Sequence, residues 1–214
     1  MKVLAALYTC ANPRYAERRK MAESTWAKRM PAGYHFESFD GPRLGVPDDY
    51  GSLCQKTRAI ARYAVEHDYD WLIKIDDDVF VRTDLLEIPD CEYGGFLLPR
   101  PPEPQWYCAG FFYWTNRRAF SILAEAPMDA RWTSAEDQWT GWSLSQHGIQ
   151  VKRLPNVVLE PCPCGRCTPD CVPDNWVAYC HWNRFSPDLF KSFESRYATS
   201  PSSGELLSRQ TRQP

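Results

Sequence analysis

The feature that most constrains the fold is a run of apolar residues at the start of the chain. Residues 2–10 are almost continuously Val, Leu and Ala and end in Tyr8, Thr9 and Cys10. A strand with one solvated face alternates apolar and polar residues, whereas a strand of a parallel sheet is covered by helices on both faces. The run therefore predicts a central strand that is buried on both sides.

Further strands and helices alternate with it over the first 80 residues. The apolar pattern predicts helices over residues 12–30 and 50–67, strands over residues 34–39 and 71–75, and a loop rich in Gly and Pro over residues 41–49. Such alternation indicates an α/β domain. Ligands of these domains gather at the carboxyl ends of the parallel strands.

The second half of the chain is less regular. We expect strands over residues 94–98, 107–114 and 157–159, a helix over residues 116–126, and an extended loop over the proline-rich residues 99–104. The Val-Phe-Val segment at residues 79–81 is also predicted to be extended. These segments continue the domain and reveal no internal repeat.

Residues 1–195 are predicted to form one domain, which includes a Cys-rich loop at residues 162–180. Ser134 and Asp137 resemble a capping box and predict one more helix, closed by Gly148. Residues 196–214 are predicted to be a disordered tail, because they are mainly Ser, Thr, Gln and Arg with little apolar content.

The balance of charge narrows the range of partners. There are 25 Lys and Arg against 27 Asp and Glu, a net charge of −2, so we expect no nucleic-acid partner.

The apolar run near the start is far short of the roughly 20 residues that a membrane span needs. It is also too short for a secretory signal, so we expect no membrane span and a cytoplasmic location. A Golgi lumen would be expected only if an anchor has been removed.

Three adjacent carboxylates, Asp76, Asp77 and Asp78, follow the predicted strand 71–75. Their repulsion destabilises the fold unless a cation occupies the site. In an extended chain Asp76 and Asp78 point to one side and Asp77 to the other. Hard oxygen ligands of this kind select Mg²⁺ or Mn²⁺. The alternative interpretation is a solvated acidic turn.

A second acidic pair, Glu136 and Asp137, lies at a predicted helix start among several tryptophans, which are Trp132, Trp139 and Trp142. One interpretation is a general base in an aromatic cleft, since indole faces suit the apolar faces of sugars. The other is a pair of charges that complements the helix dipole, with the tryptophans in the core.

His181 is either structural or a third ligand of a transition ion such as Mn²⁺.

The nine cysteines are many for a chain of this length, and an odd number argues against a complete disulfide framework. Four of them crowd together, namely Cys162, Cys164, Cys167 and Cys171. These thiolates suffice for one tetrahedral structural Zn²⁺, although their spacing is not that of two Cys-x₂-Cys knuckles. Disulfides or free thiols remain equal alternatives.

Five motifs occur in a family-specific order between about residue 3 and residue 150. They are an Arg-rich helix ending in Thr25-Trp26, an Asp-x-Tyr segment leading to Lys56-Thr57, the strand Lys74-Ile75-Asp76-Asp77-Asp78-Val79-Phe80-Val81, an aromatic strand around Gly110, and the helix start Glu136-Asp137-Gln138-Trp139-Thr140-Gly141. In this order they resemble glycosyltransferase family 31, the β-1,3-galactosyltransferase and N-acetylglucosaminyltransferase group related to Fringe.

The resemblance implies a GT-A-like nucleotide-sugar-binding fold, with a mixed, mostly parallel central sheet flanked by helices. It implies an inverting, metal-dependent hexosyltransferase that moves a hexose or N-acetylhexosamine from a UDP-sugar donor. The acceptor would be a hydroxyl of a glycan or glycoconjugate, joined in a β-1,3 linkage.

The resemblance also assigns roles to residues. Mn²⁺ (or Mg²⁺) would be held by Asp76, Asp78 and His181, with Asp76 and Asp77 also near the ribose or donor sugar. Asp137 would take the proton from the acceptor hydroxyl. The nucleotide would be contacted by Thr9, Arg14, Arg19 and Lys56. Lys74 is expected to lower the pKa of neighbouring carboxyls rather than to act in the reaction.

The chain departs from the family pattern at several positions. Glu23 stands where a second arginine is expected before Thr25-Trp26, and Gln138 replaces a valine. The family's anchor and stem are missing from this sequence, and the cysteine cluster lies outside the pattern. Two alternatives therefore remain: a non-catalytic carbohydrate- or protein-binding module on the same fold, and a zinc-stapled interaction domain.

Overall fold

The computed structural model describes residues 1–100, 105–128, 135–159, 175–180 and 187–197. Nine strands lie within these residues: β1 (Val3–Tyr8), β2 (Tyr34–Phe39), β3 (Trp71–Asp76), β4 (Val79–Val81), β5 (Tyr93–Arg100), β6 (Gln105–Asn116), β7 (Val151–Arg153), β8 (Val157–Leu159) and β9 (Ala178–Cys180). The helices there are α1 (Ala16–Ser24), α2 (Gly41–Leu44), α3 (Leu53–Glu66), α4 (Arg117–Glu125), α5 (Glu136–Ser145) and α6 (Pro187–Tyr197).

The central sheet has six strands in the order β2-β1-β3-β6-β5-β7. β1 pairs in parallel with both β2 and β3, and β5 pairs in parallel with β7. β6 alone among these six strands is antiparallel to its neighbours, β3 and β5. The sheet is therefore mixed and mostly parallel, with helices packed against it, as the sequence predicts.

The first strand is buried on both faces, as its continuous apolarity predicts. Val3, Ala5 and Leu7 pack into one hydrophobic cluster, and Leu4, Ala6 and Tyr8 pack into the other. The alternation of side chains along a strand sends successive residues to opposite faces. β1 therefore joins the two halves of the core and fixes the position of its own carboxyl end.

The helix predicted over residues 12–30 is interrupted. α1 ends at Ser24, and Trp26–Arg29 forms a 3₁₀ turn after a non-helical Thr25. The Thr25 hydroxyl donates to the Met21 carbonyl at 2.6 Å, which competes with continuation of the helix. The break turns Trp26 into the core, where its ring meets Phe36 edge-on at 5.5 Å.

The loop predicted over residues 41–49 contains the short helix α2. Asp40 caps it by accepting from the Arg43 amide at 2.9 Å, Pro42 lies in its first turn, and Gly45 ends it with φ +66°. An N-cap aspartate, a proline in the first turn and a C-terminal glycine are a recognised helix signature. The loop prediction overlooked that signature.

Other boundaries also differ from the predictions. α5 begins at Glu136 after Ala135, which provides no capping side chain, and the Asp137 carboxylate accepts from the Gln138 amide at 2.8 Å. The N-cap is therefore Ala135, and the predicted partner Ser134 lies outside the described residues. β5 continues through Pro99 to Arg100, into the predicted loop.

The short strands β7 and β9 and the helix α6 were not predicted. α6 extends to Tyr197, which is buried, so residues 196 and 197 belong to this helix rather than to the predicted tail. Residues 198–214 lie outside the described residues. Among the described residues, no helix is both long and apolar enough to span a membrane.

A second sheet, in the order β4-β9-β8, is joined to α6 by aromatic side chains. The Phe193 ring lies 5.2 Å from Phe80 on β4 and 5.2 Å from Trp176, which precedes β9. Phe193 and Trp176 are fully buried. These contacts attach the segment that follows the aspartate triad to a helix near the end of the domain.

We expect Phe193→Ala to lower the free energy of unfolding by roughly 3–5 kcal/mol, because it leaves a cavity among closely packed rings. Urea unfolding followed by tryptophan fluorescence and far-UV circular dichroism measures this. The exposed Lys191→Ala on the same helix should change the value by less than about 0.5 kcal/mol. Two separate unfolding transitions would contradict the single domain.

Candidate active site

The aspartate triad lies at the carboxyl ends of the two central parallel strands. The register pairs Tyr8 of β1 with Asp76 of β3, so Thr9 lies beside the turn that carries Asp77. The Thr9 hydroxyl donates to the Asp77 carboxylate at 2.9 Å. This is the edge of an α/β sheet where ligands bind.

Arg18 of α1 is the basic residue that meets the triad. Its Nη1 lies 3.0 Å from the Asp78 Oδ2 and 3.6 Å from the Asp77 Oδ1. The sequence analysis selected its neighbour Arg19 instead. Arg18 precedes the buried Ala22 by one helical turn, so the phase of α1 could have identified it as the arginine that faces the sheet.

The three carboxylates differ in exposure and in partners. The side chains of Asp76 and Asp78 are 37% and 26% exposed, whereas that of Asp77 is 9% exposed. Burial raises the pKa of Asp77 to about 7, with repulsion from Asp78 adding to the rise and the Thr9 hydroxyl opposing it. Burial and the Asp76 charge raise the pKa of Asp78, while Arg18 lowers it. Asp76 and Asp78 are thus the accessible members.

The described residues contain no preformed group of three or more His, Cys, Asp or Glu side chains arranged to hold a metal. The Asp77 and Asp78 carboxylates both lie near the guanidinium group of Arg18, which offsets part of their negative charge. Mg²⁺ sites commonly use one or two carboxylates and complete the shell with water and substrate phosphates. The accessible carboxylates of Asp76 and Asp78 are the oxygen donors that would fit such an ion.

Lys74 of β3 links the triad to the second acidic pair. Its ammonium is 3% exposed and donates to the Asp76 carboxylate and to the Gly110 carbonyl. It also lies 3.1 Å from the Glu136 Oε1, at the start of α5. The expectation that Lys74 acts on neighbouring pKa values agrees with this position, since its charge lowers those of Asp78, Glu136 and Asp137.

Gly110 allows β6 and α5 to approach each other at this point. A Cβ at Gly110 would lie 3.1 Å from the Glu136 Oε1 and 3.5 Å from the Asp137 Cβ. A side chain there would crowd the Glu136 carboxylate, which would have to shift, while its contact with Asp137 would be an ordinary one. This close packing explains why a residue without a side chain lies at the centre of the aromatic strand.

The two members of the acidic pair have different environments. Burial raises the pKa of Glu136 to about 7 against the opposing charge of Lys74, and the Tyr113 hydroxyl donates to its carboxylate at 3.3 Å. Burial also raises the pKa of Asp137, whereas the amides of Gln138 and Gly110 lower it. Glu136 is therefore held inside an ion-pair network, and Asp137 is held by backbone amides.

The residues predicted to contact the nucleotide do not form one group. Thr9 is buried and holds Asp77. The Arg14 guanidinium contacts the neighbouring Tyr15 ring, and Arg19 lies 3.7 Å from Asp40 and 3.9 Å from Glu23, away from the triad.

Lys56 is buried and donates to the Thr9 carbonyl at 2.8 Å and to the Asp48 carboxylate at 2.6 Å. Asp48 also accepts from the Gly41 amide at 2.9 Å. The Asp48–Lys56 pair therefore ties the segment around α2 to the end of β1. The sequence pattern predicts Lys56 as a nucleotide contact and includes Asp48 in the Asp-x-Tyr segment without giving it a role.

Several predicted ligands lie outside the described residues. These are His181 and the four clustered cysteines Cys162, Cys164, Cys167 and Cys171. Trp132 also lies outside them. Trp139 is fully buried, and its indole donates to the Pro127 carbonyl at 3.1 Å, so the core interpretation holds for it.

No family model matches the sequence, and the search of curated proteins finds no relative. A structural match covers 91% of this chain and 99% of the other, with a TM-score of 0.53 and 13% sequence identity. That protein is described as a glycosyltransferase involved in the glycosylation of the major capsid of PBCV-1. The match establishes a glycosyltransferase-like α/β fold, and the resemblance to family 31 stays a prediction.

The Asp48–Lys56 pair gives stability a specific pH dependence. Although burial opposes ionisation, Lys56 and the amides of Ala11 and Gly41 lower the pKa of Asp48 to about 2. A carboxyl whose pKa is lower in the folded state stabilises the fold above its unfolded pKa of about 3.9 and loses that contribution as the pH falls toward 2.

We expect Asp48→Asn to destabilise the protein at neutral pH, and the difference from the parent should shrink by roughly 1 kcal/mol between about pH 6 and pH 3. Urea unfolding across this range measures the two curves. Asp188→Asn, at an exposed site, should run parallel to the parent. A difference for Asp48→Asn that stays constant with pH would contradict the ion pair.

Proposed function

We propose that this chain is an inverting glycosyltransferase that moves a hexose or N-acetylhexosamine from a UDP-sugar to a hydroxyl of a glycan or glycoconjugate. One observation carries the proposal: Lys74 holds the aspartate triad and the acidic pair together at the ligand-binding edge of a glycosyltransferase-like fold. The β-1,3 linkage follows from the motif resemblance to family 31.

The nucleotide would bind at the triad end of this site. Asp76 and Asp78 offer accessible carboxylates that would hold Mn²⁺ or Mg²⁺, with His181 as the proposed third ligand. The ion would offset charge that develops on the departing diphosphate. Thr9 and Arg18 position Asp77 and Asp78 through the contacts described above.

Asp137 would act as the base that accepts the acceptor's proton. A single displacement at the anomeric carbon needs one base and no protein nucleophile, and it inverts the configuration. Glu136 is tied to Lys74 within the core and is poorly placed to reach an acceptor. Burial raises the pKa of Asp137, as suits a base, and the backbone amides that hold its carboxylate limit the rise.

Replacing the base should separate catalysis from binding. We expect Asp137→Asn to lower sugar transfer by roughly 10²–10⁴-fold, because the amide keeps the shape of the side chain but cannot accept a proton. UDP affinity should stay near the parent value. Product formation by chromatography and UDP binding by calorimetry measure the two quantities.

The exposed Asp188→Asn undergoes the same chemical change and should transfer sugar at the parent rate. Transfer by Asp137→Asn at the parent rate would remove Asp137 from the reaction. UDP binding by the parent protein without hydrolysis or transfer would instead favour a binding module on the same fold.

The triad is tested most simply through UDP binding. Mn²⁺ should strengthen UDP binding to the parent protein by about tenfold or more, because its charge would offset the repulsion between the carboxylates and the phosphates. Asp78→Ala should lose this gain, whereas Asp90→Ala, at a fully exposed acid, should keep it. Titration calorimetry with Mn²⁺ or with a chelator measures it. Equal UDP affinity with and without Mn²⁺ would exclude the ion from this site.

A further inference from the structure

A cavity of about 400 Å³ lies between the start of β6 and the second half of α5. Its volume falls within the range of small-molecule sites. The described residues that line it are Tyr93, Trp106, Gly141, Ser145, Gly148, Ile149, Gln150 and Val151. None of the residue roles assigned above uses this cavity.

Trp106 forms one wall of the cavity and is 53% exposed. The tryptophans at positions 26, 139 and 176 are fully buried in the core. An indole left half exposed at the mouth of a cavity offers a flat apolar surface together with a polar N–H group. Such a surface suits a ligand that has one apolar face and a polar edge.

The cavity lies further along α5 than Asp137, the proposed base. Gly110 of β6 is next to Asp137, and one turn later the Cβ position of Gly141 lies 2.6 Å from the Tyr107 Cβ and 3.6 Å from the Trp106 carbonyl. β6 and α5 thus run side by side from Asp137 to Trp106. Four residues of helix advance about 6 Å, so the cavity begins about one sugar ring away from Asp137.

The lining indicates an uncharged ligand. The described lining residues include no Asp, Glu, Lys or Arg. Gln150 provides an amide group, and Ser145, whose hydroxyl donates to the Trp142 carbonyl at 2.7 Å, provides an oxygen that can accept. Three other cavities in the described part of the molecule each carry acidic and basic side chains, for example Arg118 with Glu125. A phosphate or a charged peptide would gain no ion pair beside Trp106, whereas hydroxyl groups would find hydrogen-bond partners.

We propose that this cavity binds a pyranose ring of the acceptor glycan, with the apolar face of the ring against Trp106 and its hydroxyl groups toward Ser145 and Gln150. The proposal rests on the proposed function and adds a location for the acceptor. A ring in this position would not occupy the space beside the preceding turn of α5. That space, next to Asp137, would remain for the hydroxyl that reacts.

Binding of methyl β-galactoside, methyl β-glucoside and methyl β-N-acetylglucosaminide can be measured by saturation-transfer NMR without any donor. We expect the parent to bind at least one of them and Trp106→Ala to weaken that binding by about tenfold or more. Trp106→Tyr keeps an aromatic face and should retain most of the affinity. Ile122→Ala, which lines a different cavity, should bind like the parent.

The same variants are then tested for hydrolysis of UDP-sugars to water, which needs no acceptor. Trp106→Ala should hydrolyse donor at the parent rate and show a raised KM for the glycoside in transfer. If no glycoside binds to the parent, or if Trp106→Ala binds it equally well, the acceptor site is wrong even when donor turnover is intact. If the parent turns over no UDP-sugar but binds glycosides through Trp106, the proposed function fails and the sugar site stands.

Discussion

The candidate active site depends on the buried ammonium group of Lys74. An unpaired charge at this depth would cost several kcal/mol, so it requires partners of opposite charge. Burial alone would lower the pKa of Lys74, but the Asp76 and Glu136 carboxylates raise it and keep the ammonium charged. Because these partners belong to β3 and α5, and the Gly110 carbonyl belongs to β6, one side chain fixes three elements relative to one another.

A second set of polar contacts organises the end of β1. Thr9 holds Asp77 through its hydroxyl and holds Lys56 through its carbonyl, and Lys56 is neutralised by Asp48. Arg18 then pairs with the Asp77 and Asp78 carboxylates. Two carboxyls of the triad, Asp77 and Asp78, have raised pKa values at a sheet edge, which is typical of functional sites. The neutral cavity beside Trp106 lies between β6 and the second half of α5.

The sequence predicts those features that depend on local pattern. The apolar residues from Val3 to Tyr8 predict β1. The mainly apolar segment directly before the triad predicts β3. The network of Lys74 could not be predicted in detail, since it depends on the register between β3 and β6 and on the position of α5, which are long-range properties. The role of Arg18 depends on helix phase, and the contrast between the buried Trp139 and the exposed Trp106 depends on packing.

We propose that these carboxylates carry out sugar transfer from a nucleotide donor with inversion. The most direct measurement is proton NMR of the parent protein with Mn²⁺, a set of α-linked UDP-sugars and simple methyl glycosides as acceptors. We expect release of UDP and a new β-anomeric signal from at least one donor. A product with an α-anomeric signal would contradict the inverting mechanism, and the absence of UDP release from every donor would contradict sugar transfer itself.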